Sequence, residues 1–217
     1  VGFYTRLPVP ARSDYSRLPK ACIYLPVIGW LVGGSMAVAF SAMSGLLPAT
    51  TVVLLTLIIG ILLTGAFHED GFADVCDGFG GGYGKIAILT IMKDSRLGTY
   101  GTLGLIFLMA LKISLLCAMP TENIPGVILA AHSLSRYTPL MHMARLDYVR
   151  EPSQGKAGTA VYKPLLGELG FSAVAAGLPL VCLPPFCASV LMPVFLINWY
   201  LGAYYKRHIG GYTGDCL

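Results

Sequence analysis

Residues 68–77, HEDGFADVCD, gather the most reactive side chains in the chain. Asp70, Asp74 and Asp77 recur at i, i+4 and i+7, a spacing that on a 3.6-residue helix sets three carboxylates within about 60° of one face. Like charges so placed repel unless a cation sits among them, and hard oxygen donors at this density suit Mg²⁺ or Mn²⁺ better than zinc. Gly80, Gly81 and Gly82 follow, flanked by Gly78 and Gly84, a run whose backbone amides can approach a ligand closely and cradle a phosphate. It is not a Walker A loop, because Ile86 stands at the hydroxyl position after Lys85. His68 is a candidate metal ligand or base, or an interfacial histidine, and HEDG lacks the second His of a zinc-protease HExxH.

Beyond the glycines, residues 92–101, MKDSRLGTYG, bring two cations, a carboxylate and three hydroxyls together. Lys93 and Arg96 can clamp phosphate oxygens with Ser95 beside them, and Asp94 can serve as an acid–base group or ligand. The same cations also read as ordinary flanking charge of a membrane helix.

The elements that must position these groups are membrane helices. The chain has 217 residues, 55% hydrophobic and only 12% charged, too little polar surface for a soluble globule of this size. Runs near the 20 apolar residues that span a bilayer occur at 22–47, 49–67, 101–119 and 124–144. A fifth stretch, 169–205, is too long for one span and is divided by Pro184-Pro185. The fold expected is therefore all-α, a polytopic membrane bundle of about six spans. Of the 15 Lys and Arg, the 13 that lie outside the spans all fall on one side of this arrangement, at Arg6, Arg12, Arg17, Lys20, Lys85, Lys93, Arg96, Arg145, Arg150, Lys156, Lys163, Lys206 and Arg207. That asymmetry places the N-terminus and the acidic segment in the cytoplasm. Residues 68–100 then read as a cytoplasmic catalytic loop within a single membrane domain, 1–217.

Lys112 and Arg136 lie inside spans, where a charge costs at least about 2.5 kcal/mol, so both are expected to face protein, water or substrate. Arg136, with His132, Ser133 and Ser135 beside it, is a candidate substrate contact. The formal net charge of +4 has no Lys/Arg-rich run behind it, which argues against a nucleic-acid partner. The six cysteines lack CxxC spacing and read as buried free thiols. The chain begins at Val1 and stops just after TGDC, as a cropped piece of a longer protein would, and an apolar bundle leaves room for homo-oligomer formation.

Four stretches taken together resemble the cobalamin synthases, integral membrane enzymes also called adenosylcobinamide-GDP ribazoletransferases: FYTRLPVP (3–10), FHEDGFADVCDGFGGG (67–82), IMKDSRLGTYG (91–101) and GGYTGD (210–215). The resemblance implies that α-ribazole, or its 5′-phosphate, is coupled to adenosylcobinamide-GDP at the cytoplasmic membrane, with GMP released and Mg²⁺ required. The family's acidic motif carries over onto His68, Asp70, Asp74 and Asp77, and its KDSR motif onto Lys93, Asp94, Ser95 and Arg96. Glu69 departs from the pattern by standing where an apolar residue is usual. On this reading Asp70, Asp74 and Asp77 hold Mg²⁺ across the diphosphate, Lys93 and Arg96 contact its remaining oxygens, Asp94 completes the metal shell or takes the hydroxyl proton, and Asp215 joins from the far end of the chain.

Two rivals are weighed against it. A CDP-alcohol phosphotransferase also sets aspartates at a membrane helix end, but Gly81-Gly82 replace the Ala-Arg pair its pattern requires. A cation-coupled transporter would account for Lys112 and Arg136, yet the acids adjoin a cytoplasmic loop rather than the bilayer midplane.

Overall fold

The computed structural model describes residues 2–8, 18–150 and 162–217. Arg12, Arg17 and Lys156, which enter the charge argument, lie outside the described residues. Among the described residues every element is helical: α1 (Leu18–Ala21), α2 (Leu25–Met43), α3 (Ala49–Thr64), α4 (Phe67–Gly81), α5 (Lys85–Ile91), α6 (Thr99–Cys117), α7 (Ile124–Ser135), α8 (Thr138–Arg145), α9 (Leu166–Gly177) and α10 (Leu191–Ile209). The bridges Ser44–Leu47 and Tyr148–Tyr212 are isolated.

Three helices are long and apolar enough to cross a membrane, Pro19–Met43, Thr99–Cys117 and Pro185–Ile209, or four if α3 and α4 form one broken span. The outward faces of α6 and α10 carry Leu103, Ile106, Phe107, Leu111, Phe195, Ile197 and Trp199, all exposed. So much contiguous apolar surface marks a lipid-facing bundle. The expected fourth span is interrupted. Pro139 sits in the first turn of α8, where its ring and missing amide break continuity with α7. The freed carbonyls find side-chain donors, Ser135 O from Thr138 Oγ1 at 2.8 Å and His132 O from Arg136 Nη1 at 3.0 Å. The expected fifth span is a 12-residue helix, α9, continued by a 3₁₀ turn at Leu178–Cys182.

The bundle closes where α2 meets α7. Trp30 Nε1 donates to Ser133 Oγ and to Ala175 O, both at 2.9 Å, and Ser172 Oγ donates to Ile23 O at 2.7 Å, so three helices share one polar tie. Beside it Val32, Met36, Phe40, Val52, Val53, Ile124 and Ile128 form one buried cluster. Close approach depends on Gly29, where a Cβ would overlap the His132 carbonyl and lie 2.8 Å from Ser133 Cα. Both are backbone and cannot step aside. Gly29→Ala is therefore expected to cost about 1–3 kcal/mol and to lower the melting temperature by several degrees in detergent. Gly34→Ala, which meets nothing within 4 Å, is the matched control and should melt no lower than the parent. Of the free cysteines, Cys22 and Cys216 are buried as expected; Cys117 and Cys182 are exposed on apolar helices instead.

Candidate active site

The segment read as a loop at 68–100 is two helices, α4 and α5, followed by the start of α6. It fails to be a loop because its glycines are packing positions. Gly80 lies in the last turn of α4, where a Cβ would reach 2.5 Å from the Tyr100 ring, and one at Gly82 would lie 2.8 Å from Ile88 N. Tertiary contact thus overrides glycine's poor helix propensity. Gly81 borders a recess, whereas only Gly84 of the run has positive φ, at 85°.

The turn before α4 is sharp. Gly65 (φ 66°) and Ala66 (φ 58°) are both left-handed, a conformation that costs an alanine about 1–2 kcal/mol, and α3 meets α4 at 88°. Arg6 braces it, its amide donating to Leu63 O at 2.8 Å while its side chain lies over Gly65. Two helices at right angles cannot both follow a membrane normal. α3 carries no charged residue and α4 carries five His, Asp and Glu residues in its first eleven, so α4 is the one suited to the membrane surface. Phe79 fixes its inner side, 5.3 Å from the Tyr204 ring and 5.5 Å from Tyr205.

The C-terminal GGYTGD segment folds back onto α4. Gly210, left-handed at φ 86°, ends α10, and at Gly211 a Cβ would overlap the Asp147 carbonyl. Tyr212 N then donates to Asp147 O, and Val149 N to Tyr212 O, each at 3.0 Å. The 3₁₀ turn Gly214–Cys216 lands on Gly71, so close that a Cβ there would lie 3.3 Å from Asp215 Cα. Asp215 is thereby set among the α4 acids. Its Oδ2 accepts from Arg150 Nη2 at 2.7 Å, and the same Nη2 donates to Met92 O at 3.1 Å.

The resulting charges are unbalanced. Asp74 is pushed from 3.8 to about 6, by burial first and then by Asp215 and Asp70, against the opposing pull of Arg150. Asp215 is also raised, chiefly by burial, although Arg150 opposes it. Both are held above the ordinary carboxylate range chiefly by burial, and neighbouring carboxylates add to it.

Asp70, Asp215 and Arg150 border a cavity of about 930 Å³. Its other walls include Phe3, Tyr4, Phe67, Phe72, Met143, Tyr205 and Tyr212, with His68, Ser135 and Arg136 as further polar groups. Arg136, only 3% exposed, is the residue at the α7–α8 break, and its Nη1 also lies 2.9 Å from His132 Nδ1. Glu69 supplies the opposing charge that it feels.

Asp77 has a different setting. It is buried, and each carboxylate oxygen receives a backbone amide from the start of α6, Gly98 N to Oδ2 at 2.8 Å and Gly101 N to Oδ1 at 2.9 Å. A Cβ at either glycine would overlap that carboxylate. Asp77 thus caps α6 from a distance. It lines a separate recess of about 380 Å³ with Gly81, Asp94 and Arg96. There Arg96 Nη2 donates to Asp94 Oδ2 at 2.6 Å, an outward-facing pair in which the hydrogen bonds from Arg96 hold Asp94 down at about 2. Such a carboxylate is a weak base at neutral pH. Lys93 and Ser95 are exposed beside it.

Among the described residues no three His, Cys, Asp or Glu side chains close around one point as a metal cage. The donor chemistry of Asp70, Asp74 and Asp215 nevertheless fits Mg²⁺: hard oxygens, mutually repelling, with Arg150 bonded to Asp215. Mg²⁺ characteristically takes one or two carboxylates and completes its shell with water and substrate phosphate rather than a protein cage. Arg150 carries the strongest bond to Asp215 yet entered the sequence argument only as a flanking charge; nothing in its local sequence marks it.

An all-helical membrane protein with an acidic cluster set beside an aromatic cavity has the parts of a transferase acting on phosphorus-containing groups. The whole chain, residues 1–217, matches the family model described as cobalamin-5-phosphate synthase. Proteins named adenosylcobinamide-GDP ribazoletransferase are similar along its full length: that of Ralstonia pickettii is 41% identical, with 100% of this chain and 86% of the relative aligned. Those of Ralstonia nicotianae and Pseudoalteromonas atlantica are 39% and 38% identical, over 86% and 82% of their own lengths and 100% of this chain. No solved structure matches. The chain belongs to the cobalamin-5-phosphate synthase family.

Proposed function

We propose that this chain performs the last joining step of cobalamin synthesis at the cytoplasmic face of the inner membrane, coupling α-ribazole or its 5′-phosphate to adenosylcobinamide-GDP. The observation that carries the reading is the landing of Asp215 on Gly71, which unites the acidic motif and the C-terminal motif at one cavity. In the reaction a ribose hydroxyl that is free in both α-ribazole and its 5′-phosphate attacks, through its oxygen, the phosphorus bearing the cobinamide. The anhydride bond breaks, and GMP leaves with the bridging oxygen. Asp70, Asp74 and Asp215 would hold a divalent ion, which would supply charge neutralisation on the diphosphate. Arg150 offers a guanidinium to the phosphate oxygens from the same wall, and the proton of the attacking ribose hydroxyl passes to a carboxylate of the cluster. Lys93, Ser95 and Arg96 stand on the neighbouring recess, where they can meet the guanosine side of the donor.

The reading extends to topology. Six crossings follow if α7 with α8, and α9 with its 3₁₀ extension, each cross once, which leaves Arg6, Lys85, Arg150 and Lys206 on the cytoplasmic side. Such a site serves a membrane-associated corrinoid and a water-soluble nucleotide at once.

A donor comparison in proteoliposomes tests the proposal. With adenosylcobinamide-GDP and α-ribazole, one GMP should appear per coupled product. CMP release from a CDP-activated alcohol, or solute uptake without chemical change, would overturn it in favour of a lipid phosphotransferase or a transporter.

A further inference from the structure

The cavity has a second polar region that the phosphoryl chemistry does not use. Successive residues of α4 diverge: Asp70 is in electrostatic contact with Asp74 and Asp215, whereas Glu69 acts on Arg136. Arg136 is 97% buried by its 3% exposure, and both of its hydrogen bonds run from Nη1, to His132 Nδ1 and His132 O. Its Nε is buried with no acceptor, and so is Glu69 Oε2 with no donor. A buried donor left unmade costs about 1–3 kcal/mol, so this guanidinium is kept short of partners at a real expense.

What would complete it is a hydrogen-bond acceptor of fitting shape. The surrounding walls are aromatic and aliphatic, among them Tyr4, Phe72, Pro139 and Met143. At about 930 Å³ the cavity is in the range that encloses a drug-sized ligand, far below what a corrin with its adenosyl and nucleotide parts would fill. α-Ribazole matches on each count: its base, 5,6-dimethylbenzimidazole, is a flat apolar bicycle with one free ring nitrogen that accepts and none that donates. We propose, on the basis of the function assigned above, that the base of the acceptor lies in this cavity with its ring nitrogen toward Arg136, leaving the attacking ribose hydroxyl at the Asp70–Asp215 side. Corrinoid and donor diphosphate approach from outside the cavity.

Binding measurements on the whole protein in detergent test this without relying on a variant. Wild type is titrated with α-ribazole and with the α-riboside of 5,6-dimethylindole, in which the ring nitrogen is replaced by CH. The indole compound should bind about tenfold more weakly, the size of one buried hydrogen bond. In Arg136→Met the two should bind alike, while Arg136→Lys keeps part of the difference. Steady-state turnover adds a second readout: the variants should raise KM for α-ribazole and leave KM for adenosylcobinamide-GDP within about twofold. Equal binding of both nucleosides to wild type overturns the base assignment and leaves the coupling reaction standing. A rise confined to the donor's KM reassigns the site to the corrinoid. No binding of α-ribazole, with no coupling from any donor, removes the functional reading and this inference together.

Discussion

Asp74→Asn should abolish turnover and at the same time raise the melting temperature at pH 8. The substitution changes volume little but removes one charge from a cluster that opposes its own ionisation. Loss of a group stabilising the transition state lowers kcat by about 10²–10³-fold. The stability effect has the opposite sign. Asp74 titrates at about 6 in the folded chain against an ordinary 3.8. Between those values the folded state holds a proton that the unfolded state has lost, so stability falls as pH rises through the window, and the whole penalty is present above 6. Removing the carboxylate lifts that penalty at pH 8, and the advantage over wild type vanishes below pH 4. Mg²⁺ should raise the melting temperature of wild type more than that of the variant, because it binds the folded state and needs this oxygen. A variant that melts lower than wild type at pH 8, or that turns over normally, contradicts the assignment.

Asp77→Ala should do the reverse, unfolding the protein before it alters metal binding. Both oxygens of Asp77 hold α6 amides, at 2.8 and 2.9 Å, in a buried setting. Deleting them orphans two donors at once, at about 3 kcal/mol in all. In a chain of this length that lowers the melting temperature by roughly 6–12 °C. Gly98→Ala and Gly101→Ala should lower it as well, since each adds a methyl against the same carboxylate. Opposite thermal shifts for neighbouring turns of one helix separate a charge cluster from a cap, a division that carboxylate spacing does not reveal.

The helical spacing of the acids was legible because it is local: i, i+4, i+7 states a helix, and α4 spans all three positions. Apolar runs likewise announced α2, α3 and α6. What escaped is long-range or subtle. Asp77 belongs to α6, more than 20 residues on, and its partners are backbone amides that carry no sequence signature. The break at Arg136 was in fact signalled, since Pro139 lies inside a run that passed on hydropathy alone. The glycines after Asp77 suggested a pliant loop because their role, seating Tyr100 and Ile88 against the helix, depends on elements not yet placed. Arg150 shows the limit: a cation counted for topology turns out to clamp Asp215 and the Met92 carbonyl together.

The central claim is that Asp70, Asp74 and Asp215 form the metal and phosphate centre while Asp77 does not. Electron paramagnetic resonance of Mn²⁺, titrated into the protein with a non-hydrolysable guanosine diphosphate donor analogue, tests it most directly. Wild type should bind Mn²⁺ with a donor-dependent affinity that Asp74→Asn and Asp215→Asn each weaken at least about tenfold, and that Asp77→Asn leaves nearly unchanged in whatever fraction stays folded. Equal binding by all four proteins, or selective loss in Asp77→Asn, contradicts it.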